Sequence, residues 1–268
     1  RGVAADWSGT ATGIKILNCS FSNNQGVGFR TGSESSISGI EIKNTHMDRN
    51  LNGLYLNAPT TGLTIDGGSF DKNTSGGTNG VGIYALQFNK FNDSDQKPIV
   101  LKKFTANENQ RGVILHTYGP VSIEDATASK NSEEGITFAT SGADYQVSGG
   151  SITKPIVIKN VKVEDNPKSN LWVISYLNWT LSNVTIEGST SGISTGSRAG
   201  YGVYLYAAAG STLSNVSVKN CTIENNNAGI YLRAGSSTAN LTNVALEENS
   251  ISENKTGILI TDNAAGVN

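Results

Sequence analysis

The feature that most constrains this chain is a recurring asparagine. Set in one register, Asn24, Asn50, Asn73, Asn109, Asn131, Asn166, Ser189, Asn226 and Asn254 follow one another at intervals of 26, 23, 36, 22, 35, 23, 37 and 28 residues. Each is preceded by two short apolar-alternating runs and followed by a third, most plainly in 216–234, VSVKNCTIENNNAGIYLRA. One such coil cannot bury its apolar side alone, so the repeat itself must supply the core. A spacing of two places residues on one side of a strand. The expected interior columns run from Ile16 and Ile42 through Leu181 to Val218 and Leu246 in the first strand. In the second they run from Phe21 and Met47 through Ile186 to Ile223 and Ile251. In the third they begin at Val27 and Phe29 and end at Ile258 and Ile260.

About nine three-strand coils with polar corners and a stacked Asn column predict an all-β parallel β-solenoid. Over residues 13–263 the chain resembles a right-handed parallel β-helix of the broad pectate-lyase-like class, which includes adhesin, tailspike and polysaccharide-active solenoids. An N-terminal lead-in over 1–12 and a single domain over 13–268 are expected. The phrases Lys97–Lys102 (KPIVLK) and Lys154–Lys159 (KPIVIK) lie two coils apart and point to a duplication.

Charge excludes some partners. Twenty Lys and Arg balance twenty-two Asp and Glu without a basic run, which argues against nucleic acid and anionic membrane surfaces. No run approaches the apolar length of a membrane span. Cys19 and Cys221 fall in one column seven coils apart, about 34 Å at the inter-strand spacing, so free thiols are expected. The chain begins at Arg1, and neither end carries an amphipathic cap. A segment of a larger protein, with end-to-end or lateral assembly, is the expectation. Its Asn, Ser, Thr and Gly content resembles that of extracellular or cell-surface β-helices.

The outward columns carry the chemistry. That of the first strand reads Leu17, Lys43, Asp66, Lys102, Glu124, Lys159, Ser182, Lys219 and Glu247, alternating in sign from Lys43 to Lys159. In the second strand Glu164, Glu187 and Glu224 stack on consecutive coils, a candidate Ca²⁺ site. The third strand presents Gly28, Tyr55, Tyr84, Ile114, Thr137, Trp172, Tyr204, Tyr231 and Leu259, flanked by Arg30, His116, Tyr206 and Arg233. An apolar-aromatic stripe of this length marks an interaction surface. Tyr55, Tyr84, Trp172, Tyr204, Tyr206, Tyr231 and Arg233 are the candidate binding residues, for ring faces stacked on a polysaccharide or for a neighbouring protein. Tyr204 and Tyr231 are expected to bind without supporting the fold. The arms 87–98 and 141–155, with Phe88, Phe91 and Tyr145, are the alternative cover.

Lyases, epimerases and polygalacturonase-like hydrolases resembling this fold carry motifs that are absent here. The nearest phrase, His116–Pro120 (HTYGP), lacks the acid and places its His on the other side. The candidate acid/base set is His116, Tyr118, Tyr84 and Arg111, while His46 has a surface role. A non-catalytic, adhesin-like module leads, and a lyase or C5-epimerase acting on a uronic-acid polymer is the alternative.

Overall fold

A computed structural model describes residues 3–5, 9–32, 35–57, 60–74, 80–86, 97–117, 119–140, 150–176, 178–192 and 200–262. Its strands form three parallel sheets, each strand pairing with its counterpart in the next coil. The first-strand sheet runs from Gly9–Leu17 to Asn240–Glu247, with Gly150–Ile152 paired beside Trp179–Glu187. Short second strands pair from Lys162–Glu164 to Ser250–Ser252. The third-strand sheet holds ten strands among the described residues, from Val3–Ala5 to Thr256–Asp262. The phrases beginning KPIV occupy equivalent positions, since Ile99 and Ile156 both pair with Val121.

The interior is built by columns of like residues. Ile42, Ile65, Leu101, Ile123 and Ile158 line one wall, and Phe70, Phe104 and Phe138 fill the space between walls, all buried. At each Asn corner the preceding residue is left-handed, at Arg49 (φ 54), Lys72 (φ 58) and Glu108 (φ 56) for example. That conformation is costly for such residues, and the ladder holds it. The backbone N–H of Asn50 donates to Asn73 Oδ1 at 3.0 Å, Asn73 to Asn109 at 2.8 Å and Asn109 to Asn131 at 2.9 Å. The second residue of the third strand is glycine in most coils because nothing larger fits. A Cβ on Gly82 would lie 2.7 Å from the Gly112 carbonyl and 2.9 Å from Asn109 Nδ2.

Coil seven departs from the expected register. Ile158 pairs with Ile186, not Leu181, and Val163 pairs with Ser191, not Ile186. The strand Trp179–Glu187 bends at left-handed Asn183 (φ 62) and is apolar on both sides of the bend, so alternation alone fits either register. Ser189 therefore leaves the ladder and accepts at the first corner, from Val161 N–H at 3.4 Å. Its rung is supplied by Asn170, which stands in the glycine column one coil earlier. Asn170 Oδ1 accepts from Asn166 Nδ2 at 2.8 Å and its Nδ2 donates to Asn226 Oδ1 at 3.1 Å.

Coil one shifts by two residues. Phe29 pairs with Leu54 and Val27 with Asn52, so Arg30 rather than Gly28 precedes Tyr55 in the outward column. The expected lead-in already belongs to the coil. Val3–Ala5 pairs with Phe29–Thr31, and the first strand starts at Gly9, so residue 13 is no boundary. Cys19 and Cys221 are free thiols.

Candidate functional site

The third-strand sheet brings the aromatic residues together, with Tyr55, Tyr84, Ile114, Thr137, Trp172, Tyr204, Tyr231 and Leu259 in one paired column. The rings stack on one another. Tyr55 and Tyr84 lie with centroids 4.6 Å apart, Trp172 and Tyr204 5.3 Å, and Tyr204 and Tyr231 4.7 Å, each pair within 10° of parallel. The inter-strand spacing imposes this, since rings on successive parallel strands sit one layer apart. Their faces are thereby occupied by neighbouring rings, which corrects the expected sugar-stacking platform at Tyr204 and Tyr231. Those two side chains are 6% and 8% exposed.

The C-terminal stack is widened by residues that the columns did not reveal. Tyr201 packs 5.1 Å from Tyr204 and 4.6 Å from Tyr231, and Tyr176 meets Tyr206 edge-on at 5.9 Å. Both flank strand ends, outside the alternation that located the others. Arg233 Nη1 donates to the Tyr204 hydroxyl at 3.3 Å while its guanidinium lies 5.2 Å from the Tyr206 ring centre. Burial pushes the Tyr204 hydroxyl up to about 12, with Arg233 opposing the rise. Trp172, Tyr176, Tyr201, Tyr206 and Arg233 remain half-exposed. Between the two stacks Leu86, Ile114, Ala139 and Ile174 are buried. Residues 87–96 and 141–149, which make up most of the expected covering arms, lie outside the described residues.

Of the acid/base set, Tyr84 and His116 are brought together and Arg111 is not. Tyr84 and His116 are in ring contact at 5.8 Å, and Tyr118 lies outside the described residues. Arg111 opens the strand that His116 ends, about 16 Å away over five residues. It belongs to a different cluster, donating to Glu133 at 2.9 Å and Glu134 at 2.8 Å, with Lys168 2.9 Å from Glu133. Burial raises the Glu134 carboxyl above its ordinary range, against the pull of Arg111 and Lys168. At Glu133 burial is outweighed by Lys168, Gln110 and Arg111, and the carboxyl is held low.

The proposed carboxylate stack is also corrected. Glu187 belongs to the first strand, 3.8 Å from Lys159 and 3.6 Å from Lys219, and the residue between Glu164 and Glu224 is Gly192. With Glu187 in the place expected of Ser182, the outward charges alternate without a break from Lys43 to Glu247.

Comparison with known proteins adds the following. The family described as "Right handed beta helix region" matches residues 146–268. The fold is a right-handed parallel β-helix. Among solved structures, the periplasmic alginate epimerase AlgG is 10% identical, with 97% of this chain and 76% of that one covered and a TM-score of 0.46. The Dettilon tailspike protein is 12% identical over 96% of this chain and 61% of its own length, with a TM-score of 0.44. The siphovirus 9NA tailspike receptor-binding domain is 11% identical over 90% and 51%, with a TM-score of 0.32. No curated protein matches the sequence. Among the described residues no helix is long and apolar enough to cross a membrane.

This β-helix carries a second polar ladder, on the outward column of the second strand. Asp48 accepts from Asp71 N–H at 2.8 Å, Asp71 from Asn107 N–H at 2.7 Å and Asn107 from Ser129 N–H at 2.8 Å. Asp71 also accepts from Thr105 Oγ1 at 2.8 Å. Burial raises its carboxyl, and the Asn107 and Thr105 bonds only partly offset this.

Proposed function

We propose that this chain is a non-catalytic β-helix module that holds a polysaccharide lengthwise against the C-terminal half of its third-strand face, outside the cell. The ring cluster around Arg233 carries this reading. Its half-exposed rim at Trp172, Tyr201 and Tyr206 offers ring edges and hydroxyls, and no carboxylate pairs with Arg233 among the described residues. A guanidinium with donors to spare suits the carboxylate of an acidic sugar. Successive coils rise about 4.8 Å, close to the length of a sugar unit, so a polymer along the axis meets one coil per residue. Stacked rings keep these side chains in fixed rotamers, which lowers the ordering cost of binding.

Retention on immobilised acidic and neutral polysaccharides tests the proposal. Arg233→Gln and Tyr206→Ala are each expected to weaken retention about tenfold, a loss of roughly 1.4 kcal/mol, with a melting temperature lowered by no more than about 4 °C. Retention that survives both substitutions sinks the proposal. Release of unsaturated uronates, followed by ultraviolet absorbance and abolished by His116→Ala, would replace it with a lyase.

A further inference from the structure

We propose that the outer face of the first-strand sheet binds a second copy of this chain, with the two helices antiparallel about a two-fold axis that runs along the strand direction. Such an axis lays a column against the same column of the partner in reverse order, and the alternating charges match only in that sense. Counted from coil two to coil nine, Lys43 meets Glu247 of the second copy, Asp66 meets Lys219, Lys102 meets Glu187 and Glu124 meets Lys159. All four pairs, each occurring twice, join opposite signs. A parallel arrangement about the same column sets like on like.

A second column, four residues before the charges, fits under the same operation. In coils two and three it is glycine, Gly39 (φ 83) and Gly62 (φ 71); in coils eight and nine it is asparagine, Asn215 (φ 51) and Asn243 (φ 52). The backbone is left-handed at all four of these positions, so the conformation does not demand glycine, while coils four to six have Pro98, Pro120 and Pro155 in the column. Around Gly39 the surface is hollow, an open cleft of about 270 Å³ lined by Gly13, Gly39, Gly62, Lys15, Glu41 and Thr64, with the Lys97 side chain packed over Gly62 at its edge. The exposed Asn215 and Asn243 side chains, bonded to each other at 3.1 Å, are the matching ridge. The axis that pairs the charges sets Asn243 over Gly39, a knob on a hollow at both ends of the interface, and Asn215 beside Lys97 at Gly62.

The intervening column is small in every coil but the second: Val100 and Ser122 face Thr185 and Val157 of the other copy, Thr64 faces Ser217, and Glu41, held by Lys15 and Lys43, faces Ala245. Eight coils at about 4.8 Å by strands of roughly 20 Å cover about 770 Å² per copy, near the 800 Å² per partner of a specific interface. Self-complementarity of residue i with j and j with i is what a two-fold contact requires. Ion pairs within the chain, such as Lys102 with Asp66 at 3.5 Å, are retained, because each charge lies between its axial neighbours and its counterpart.

Sedimentation equilibrium of the whole chain tests this across concentration and salt. A dimer is expected that weakens as salt rises. Lys102→Glu and Glu187→Lys, each placing two like-charge contacts in the dimer, are expected to weaken it roughly a hundredfold. The double variant restores the cross-copy pairs but not the axial ones, so dimerisation returns while the monomer's lowered melting temperature does not. Gly39→Asn fills the hollow without changing charge; its Cβ has no neighbour closer than 3.8 Å and asparagine already serves this conformation. It is expected to abolish the dimer in a chain that still melts cooperatively. A wild-type chain that stays monomeric at low salt, a dimer indifferent to these changes, or a double variant that does not recover overturns the proposal.

Discussion

Asn170 Nδ2 donates to Asn226 Oδ1 at 3.1 Å across 56 residues of sequence, joining coil six directly to coil eight. The same side chain accepts from Asn166 Nδ2 at 2.8 Å and donates to the Gly192 carbonyl at 3.1 Å. It stands where the other third strands have glycine, and it is fully buried. Asn170→Gly restores the repeat's usual residue and should nonetheless be severely destabilising. It leaves Asn166 and Asn226 with buried unpaired groups, each costing about 1–3 kcal/mol, so a loss of roughly 3 kcal/mol is expected in thermal or denaturant unfolding.

Arg111→Ala should be costly for a reason unrelated to catalysis. Glu134, whose side chain is 7% exposed, would lose its closest counter-charge. Stranding one partner of a buried pair costs about 3–5 kcal/mol; with Arg111 itself 35% exposed and Lys168 still 3.8 Å from Glu134, the loss should fall below that range. Removing Arg111 raises the Glu134 carboxyl further, so the folded state takes up a proton that the unfolded state releases. The variant's deficit should therefore be large at neutral pH and shrink as the solution is acidified. Melting curves of both proteins across pH check this.

The ring stack should divide by burial. Tyr204→Ala and Tyr231→Ala remove rings packed between neighbours and should cost about 2–4 kcal/mol. Tyr206→Ala, at the half-exposed rim, should cost under about 1 kcal/mol. Paired thermal melts measure the contrast, and equal losses would contradict the assignment of Tyr206 to the ligand side.

Asp71→Asn should be neutral to stabilising at neutral pH. The folded-state carboxyl is raised, so its contribution is fully present below the unfolded pKa and is lost as pH rises through the folded one. Asparagine keeps an acceptor for Asn107 N–H and removes the buried charge, as Asn107 itself does one coil later. The gain in melting temperature over wild type should vanish in acid.

Most of the fold was legible because the Asn column and the apolar alternation are direct consequences of stacking. Register failed where that logic is locally degenerate. On Trp179–Glu187 both Leu181 and Ile186 suit the interior, and only pairing with Ile158 selects between them. Glu187 went to the wrong strand for the same reason, taking the carboxylate stack with it. The aromatic column was found at the right positions, but sequence alternation says which way a side chain points and not what covers it. Burial of Tyr204 and Tyr231 follows from ring-on-ring distances that only the spacing between coils sets.

The bond from Asn170 to Asn226 has an evolutionary corollary. Because it closes the ladder across coil seven, the corner of that coil is released from the constraint that keeps asparagine at the others. The third strand of the same coil starts at Tyr201, on the rim of the ring cluster, so variation released in this way falls in the coil that supplies the border of the proposed binding face. A repeat that gives up one rung thereby gains a place where specificity can diversify while the scaffold stays constant.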